Sequence, residues 1–296
     1  MNPTTRPLDA FAICITIVLC LSWGFTQVAV KLALPEIPPL MQAALRSAGA
    51  AVIVGSWALA RGIPLFRRDN TLTPGIVAGL LFGLEFILIY RGLLWTTANR
   101  AVLFIYLAPF FVVLGARWFL PADRFALSQW IGLGLSFAGM VLVFGLPTPA
   151  SDPRQMLGDI MMVAAATAWG ATTLVIKASS LARIPQEKTM LYQLVVSLPM
   201  FAVGALVFGE QITAMPSALA WGSLAYQTVW VVSVTFVLWL VLISRYSASR
   251  LSAFTFLTPI FGVVAGHLVL GDPLTLAFAA AVGLVAGGLV LVNRPR

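Results

Sequence analysis

Charge is the scarcest commodity in this chain. Of 296 residues only 9% are Asp, Glu, Lys or Arg, against 60% hydrophobic ones, where a soluble protein carries about 25% charge. A globule of this length could not cover its surface with so little charge, which excludes a soluble enzyme. Histidine occurs once, as His267, and no His, Cys, Asp and Glu cluster has metal-ligand spacing. No Walker loop is present, so ATP is not used directly. No serine stands with a base that would make a triad, since the sole histidine sits near the end of a hydrophobic stretch. His267 reads as an interfacial polar residue, with a proton-linked role as the sharper alternative. Cys14 and Cys20 share one apolar segment, about 9 Å apart by helical rise, too far for a disulfide. They are apolar fillers. No cofactor and no metal is expected.

What is present is long uncharged runs. Ala10–Val30, Phe125–Ser151, Thr189–Gly209, Gln211–Ser244, Leu251–Gly271 and Pro273–Asn293 are each long enough to span a bilayer, and Ile160–Ile176 is slightly shorter. Three more spans carry internal charge: about 38–60 with Arg46, 74–95 with Glu85 and Arg91, and 98–119 with Arg100 and Arg117. The first run exceeds a signal-peptide core and lacks a convincing cleavage site, so it counts as a helix. The fold class is therefore an all-α integral membrane protein of ten transmembrane helices. The net charge of +8 does not indicate nucleic acid, because the basic residues recur singly or in pairs between apolar blocks. With the N-terminus in the cytoplasm, thirteen of the eighteen Lys and Arg fall on the inner side and four (Lys31, Arg91, Arg100 and Arg154) outside, with Arg46 in the membrane. That bias places both termini inside. The acids Glu36, Asp152, Asp159, Glu210 and Asp272 mostly gather outside.

The chain repeats itself. Trp23-Gly24, Thr26 and Lys31 recur 146 positions later as Trp169-Gly170, Thr172 and Lys177, and Pro39 as Pro185. At an offset of 150, Ala98, Arg100, Leu107 and Pro109 match Ala248, Arg250, Leu257 and Pro259; at 149, Gly134 and Gly139 match Gly283 and Gly288. Two halves follow, 1–148 and 149–296, of five helices each. Five is odd, so the second half starts from the opposite side and the repeats are inverted. Inverted repeats are the plan of secondary transporters, with the site near mid-membrane and alternating access between the halves.

These residues also carry a resemblance. Trp23-Gly24 with Lys31, the Leu107-x-Pro109 and Leu257-x-Pro259 motifs, and the paired Gly139 and Gly288 helices resemble the drug/metabolite transporter superfamily, EamA type, over the whole chain. More narrowly the chain looks like the YddG-type exporters of aromatic amino acids. The resemblance implies ten helices in a bacterial inner membrane and export of a small metabolite. Many members carry a Glu at the inner end of helix four and at the end of helix nine; here those places hold Pro121 with Asp123, and Asp272.

Charge inside a bilayer marks function by default. Arg46 lies within the second helix with Gln42 one turn earlier on the same face, and Glu85 is near the middle of the third. The two charges read as a structural ion pair, or as a cavity lining in which Arg46 meets a carboxylate and Glu85 an amino group or a coupling proton. Tyr192 occupies the repeat position of Arg46, beside Gln193. Tyr226 and Trp230 share a face of helix eight, next to Gln227, and Trp169 sits in helix six with Thr173 a turn below. These deeper aromatics suit a mostly apolar pocket for an apolar or aromatic amino acid. Trp57, Trp95, Trp118, Trp130 and Trp221 read as interfacial belts. Lys31 and Lys177 end their helices and read as snorkelling cations. Gly75, Gly79 and Gly83 form a packing stripe. Pro109 and Pro259 read as symmetric kinks and gate hinges. The expected partners are a small-molecule substrate and the lipid bilayer, with no nucleic acid, in a monomer or weak dimer. Another metabolite or drug, a channel, and a lipid-handling membrane protein remain alternatives.

Overall fold

The computed structural model describes residues 8–146, 149–150, 152–270 and 275–294. Ten helices among them are long and apolar enough to cross a membrane: α1 Ala10–Ala33, α2 Pro39–Ala60, α3 Leu72–Gly92, α4 Ala98–Phe119, α5 Leu127–Phe144, α6 Pro153–Ala178, α7 Gln186–Val207, α8 Ala218–Arg245, α9 Ala248–Val269 and α10 Leu276–Asn293. No strand occurs among the described residues.

Local chemistry sets the ends. Asp9 accepts the Ala12 N–H at 2.8 Å at the start of α1, and Thr97, Ser217, Ser247 and Thr275 cap α4, α8, α9 and α10 in the same way. Where hydropathy alone was followed, the ends shift. Helix α6 starts at Pro153 rather than Ile160, because Asp152 caps Arg154 and Gln155 and proline suits the first turn. Helix α5 stops at Phe144, well short of Ser151, where Gly145 turns the chain at φ 81°. Helix α8 begins at Ala218 instead of Gln211, and α9 at Ala248 instead of Leu251, each directly after its serine cap. Pro273 and Asp272 lie outside the described residues.

Small residues let the helices close on one another. Helix α5 lies along α10 and α2 along α7; α1 packs on α9 and α8, and α6 on α4 and α3. A Cβ at Gly24 would stand 2.7 Å from Gly262 N and 2.8 Å from Phe261 Cβ; one at Gly170 would stand 2.9 Å from Phe111 Cβ. Adding five to the helix number thus turns the α1–α9 contact into the α6–α4 contact, with equivalent glycines facing equivalent phenylalanines. Gly75, Gly79 and Gly83 of α3 take Tyr192, Val196 and Met200 of α7 in the same manner, which is packing as expected.

Two irregularities stand out. Helices α4 and α9 are both broken, between Ile105 and Ala108 and between Phe254 and Leu257, one turn before the buried Pro109 and Pro259. Proline has no N–H to offer the preceding turn, so the ladder opens there. In α8, residues Tyr226–Thr235 are π-helical, with Ser233 Oγ donating to Thr228 O and the Phe236 N–H to Val231 O, both five residues back.

Candidate functional site

Arg46 is 3% exposed, and its Nε and Nη2 are buried without a hydrogen-bond partner. Its guanidinium carbon lies 4.5 Å from the centroid of the Phe86 ring on α3. Glu85, the preceding residue, is also buried and interacts with Arg46 through space. The expected structural ion pair between them is not formed: among the described residues the ion pairs are Arg61–Glu187, Arg100–Asp159 and Lys188–Asp69. Phe86 is thus the aromatic neighbour of the guanidinium, and the Nε and Nη2 atoms stay without a hydrogen-bond partner.

Gln42, one turn from Arg46, donates to Ile37 O at 2.8 Å and accepts from Gln227 Nε2 at 3.1 Å. This contact ties α2 to the π-helical part of α8, and it leaves Gln227 Oε1 without a partner. Gln193 on α7 is buried with its Nε2 unpartnered. From α8, Tyr226 Oη donates to Ser22 O and Trp230 Nε1 to Ser22 Oγ, both at 2.9 Å, so the two aromatics converge on α1.

Two expected members lie elsewhere. Tyr192 does not face Arg46. Its ring covers Gly75 and its Oη is 3.1 Å from Thr71 Oγ1, at the opposite end of α3 from Glu85. Trp169 packs edge-on against Tyr106 at 5.9 Å, and Tyr106, Phe110, Phe137 and Phe256 continue that cluster across α4, α5 and α9. The Arg46 site has its own chain of rings, which residue type alone did not single out. Phe201 contacts Phe86 (6.3 Å), Phe86 contacts Phe82 (5.0 Å), Phe82 contacts Phe236 (6.2 Å) and Phe236 contacts Trp23 (5.9 Å), nearly all edge-to-face. The Trp23 N–H donates to Thr235 Oγ1 at 2.9 Å. The signal for Trp23 was its place in the internal repeat; the phenylalanines gave none in a chain with 19 of them.

The ends of the helices are held by polar contacts. On one side, Glu210 accepts the N–H groups of Leu40 and Met41 at 2.9 and 3.1 Å, while Glu36 accepts the Ser217 N–H and Oγ. The Ser217 backbone donor holds the Glu36 carboxyl below the usual carboxylate range. At the other end of α2 and α7, Lys188 donates to Asp69 at 2.8 Å and Arg61 pairs with Glu187 at 3.0 Å. Lys188 and then Thr71 keep Asp69 low. Asp123 accepts from Ser247 Oγ and the Ser249 N–H at the start of α9, and burial pushes its carboxyl up in spite of them. It therefore joins α4 to α9. Lys177 corrects the snorkelling expectation: it is 4% exposed and donates to Ser244 O and Tyr246 O, closing the end of α8 rather than reaching the interface. Trp57, Trp118 and Trp221 are exposed, Trp130 meets Phe125 edge-to-face, and His267 is exposed in the last turns of α9.

Among the described residues no group of His, Cys, Asp and Glu could hold a metal ion. The arrangement offers a buried guanidinium and a buried carboxyl group beside a wall of rings. The EamA-like transporter family pattern matches residues 10–145 and again 156–294. The chain is 26% identical to "Uncharacterized transporter YoaV" of Bacillus subtilis (strain 168), covering 92% of each protein. It is 20% identical to "Uncharacterized inner membrane transporter YedA" of Escherichia coli (strain K12), covering 93% of this chain and 88% of that one. A plant protein, "WAT1-related protein At3g02690, chloroplastic" of Arabidopsis thaliana, is 26% identical over 92% of this chain and 67% of its own. A solved crystal structure superposes with a TM-score of 0.82, covering 96% of each chain at 21% identity, a likeness of fold.

Proposed function

We propose, from the premise that this chain belongs to the EamA-like transporter family, that it is a secondary transporter exporting aromatic or other apolar amino acids, or similar small metabolites, across a bacterial inner membrane. The observation that carries this reading is Arg46: a membrane-embedded guanidinium with two unpartnered N–H groups, facing an aromatic wall. Buried charge without a protein partner is too costly to serve packing alone. A carboxylate supplies the missing acceptor, and the edge-to-face rings suit an apolar or aromatic side chain.

In this reading the units 1–148 and 149–296 are inverted repeats with both termini cytoplasmic. Support comes from the family pattern matching twice, from the exchange of α1–α9 for α6–α4 packing, and from the basic residues of the expected inner loops. The breaks before Pro109 and Pro259 serve as hinges through which α4 and α9 bend as the two sides open in turn. Gln42, Gln193 and Gln227 line the polar side of the site and Tyr226 and Trp230 its α1 side; Trp169 and Tyr192 act outside the Arg46 pocket. The protein works as a monomer or weak dimer.

The test is flux into proteoliposomes holding the purified protein, with labelled Trp, Phe, Tyr and Thr. Saturable uptake with counterflow is expected. No flux above empty vesicles for any of the four would remove the amino acid reading, and flux without saturation or counterflow would indicate a channel.

A further inference from the structure

We infer that Asp123 and Lys177 form the latch that seals one end of the bundle, the end carrying both chain termini, and that the structure is the state sealed there and open at the opposite end. The latch belongs to the transporter reading above, whose two alternating states it presupposes, and it is indifferent to the substrate.

Five helix ends are drawn together at the sealed end. Asp123, in the turn after α4, is 5% exposed. Its carboxyl accepts from Ser247 Oγ and, at 3.0 Å, from the Ser249 N–H, and its main-chain carbonyl accepts from Ser249 Oγ at 3.3 Å. Lys177, in the last turn of α6, acts on Asp123 through space and donates to Ser244 O and Tyr246 O at 3.1 and 2.8 Å. Tyr246 Oη donates to Asp9, the cap of α1, at 2.8 Å. The α4, α6 and α1 ends thus all hold the short stretch that joins α8 to α9. From 247 to 256 every residue is buried except Arg250, which is partly so.

The internal repeat provides the comparison. At the offset of 150, Ser247, Ala248 and Ser249 correspond to Thr97, Ala98 and Asn99, and at 146 Lys177 corresponds to Lys31. Thr97, Ala98, Asn99 and Lys31 are all exposed. A cavity of about 230 Å³ lies at the start of α4, lined by Thr97, Asn99, Arg100 and Leu103 and by Phe144 and Gly145 at the end of α5. In the equivalent place Arg250 Nη2 donates to Arg294 O at the end of α10, at 3.4 Å. The half-helices Ala98–Ile105 and Ala248–Phe254 therefore stand in unlike surroundings. The first is held to α6 by Arg100 and Asp159 with its first turn uncovered; the second is enclosed from its cap onward.

Equivalent parts of inverted halves exchange surroundings when a carrier turns over. Contacts made in one state alone favour that state by their own free energy. Asp123 and Lys177 make such contacts: they fix the chain on both sides of the Tyr246–Ser247 junction, and the half-helix beyond it ends at the break before Pro259, about which it can swing once released.

The experiment labels single cysteines in the purified full chain in detergent with a hydrophilic maleimide, Cys14 and Cys20 being replaced by alanine. The reporters are Ala98→Cys and its repeat equivalent Ala248→Cys, at positions that are exposed and 0% exposed respectively. Ala98→Cys is expected to react at least about tenfold faster than Ala248→Cys. Asp123→Ala should raise the Ala248→Cys rate about tenfold, the worth of two hydrogen bonds to a carboxyl group. Adding Lys177→Met should raise it further and slow Ala98→Cys about twofold or more, because the open end closes as the sealed one opens. A rise at Ala248→Cys with no fall at Ala98→Cys in the double variant is local loosening and overturns the latch; so does an Ala248→Cys rate that Asp123→Ala leaves unchanged. Equal labelling of the two reporters in the otherwise unaltered protein overturns the assignment of the open end, and decides the matter where Asp123→Ala does not fold. No flux is read in these measurements, so a failure of amino acid transport removes the substrate reading and leaves the labelling pattern as it stands.

Discussion

The carboxylate of Glu210 sits 2.9 Å from the backbone N–H of Leu40, 170 residues away in sequence. Pro38 and Pro39 begin α2 and neither brings a capping side chain, so the first-turn donors of this helix depend on the loop before α8. A carboxylate there also meets the positive end of the helix dipole. Glu210→Ala should lower stability by about 1–2 kcal/mol, seen as a fall of a few degrees in the melting midpoint of the detergent-solubilised protein. An unchanged midpoint would mean that water replaces the cap at no cost.

Removing the guanidinium should stop transport without unfolding the protein. Arg46→Ala is expected to reduce amino acid flux about tenfold or more, the value of a charge-assisted hydrogen bond, while size-exclusion behaviour stays that of the wild type. Trp230→Ala should act in the same direction, since it detaches α8 from Ser22. Normal flux in either variant would take that residue out of the pathway.

Glycines of similar sequence context should respond in opposite ways. Gly24→Ala places a methyl 2.7 Å from a backbone nitrogen of α9, and separating the helices should cost about 1–3 kcal/mol. At Gly134 a methyl meets nothing within 4 Å, so Gly134→Ala should raise stability by roughly 0.5–1 kcal/mol through helix propensity. Thermal melts of the two variants side by side check both signs.

The loop between α2 and α3 should let go in acid. Asp69 is held below the usual carboxylate range by Lys188 and Thr71. A depressed folded-state value means that the stabilisation is present above the ordinary Asp range and is lost as pH falls through the folded-state value. Melting midpoints from pH 6 downward should drop in the wild type near and below that range, and the drop should be shallower in Asp69→Asn. A parallel decline in both proteins would place the acid sensitivity elsewhere.

Replacing the hinge prolines addresses motion rather than binding. Pro109→Ala and Pro259→Ala restore a main-chain donor next to each helix break. Several-fold slower flux with unchanged half-saturation is expected; unaltered rates would reduce the breaks to packing features.

The number of helices was legible in the sequence because each span is a long apolar run with little or no charge, and Arg46 and Glu85 were legible because charge is rare there. The ends of α6 and α8 were not, since hydropathy is blind to an Asp152-Pro153 start or a Ser217 cap. Nor was the relation of Arg46 to Glu85: opposite signs at one depth suggested an ion pair, and none forms between them, while the guanidinium lies against the Phe86 ring. Tyr192 was misplaced because a repeat position names an equivalent residue and not a spatial neighbour: its ring covers Gly75 and its hydroxyl meets Thr71. Lys177 looked like a surface cation because helix-end lysines usually are; its partners are carbonyls of α8, remote in sequence.

Helix α8 obeys a different wheel over its middle ten residues. Ser22 and Trp23 are neighbours on α1, yet they meet Trp230 and Thr235, five apart on α8. On an α-helical wheel those two would point about 140° away from each other. In the π register, positions five apart close a turn, and both fall on the side of α1. The phase of the helix is thereby reset before Phe236, so that the ring facing Phe82 and the indole facing Ser22 belong to one continuous stripe. A scan of this segment at intervals of three and four would walk around the helix; intervals of five follow the wall.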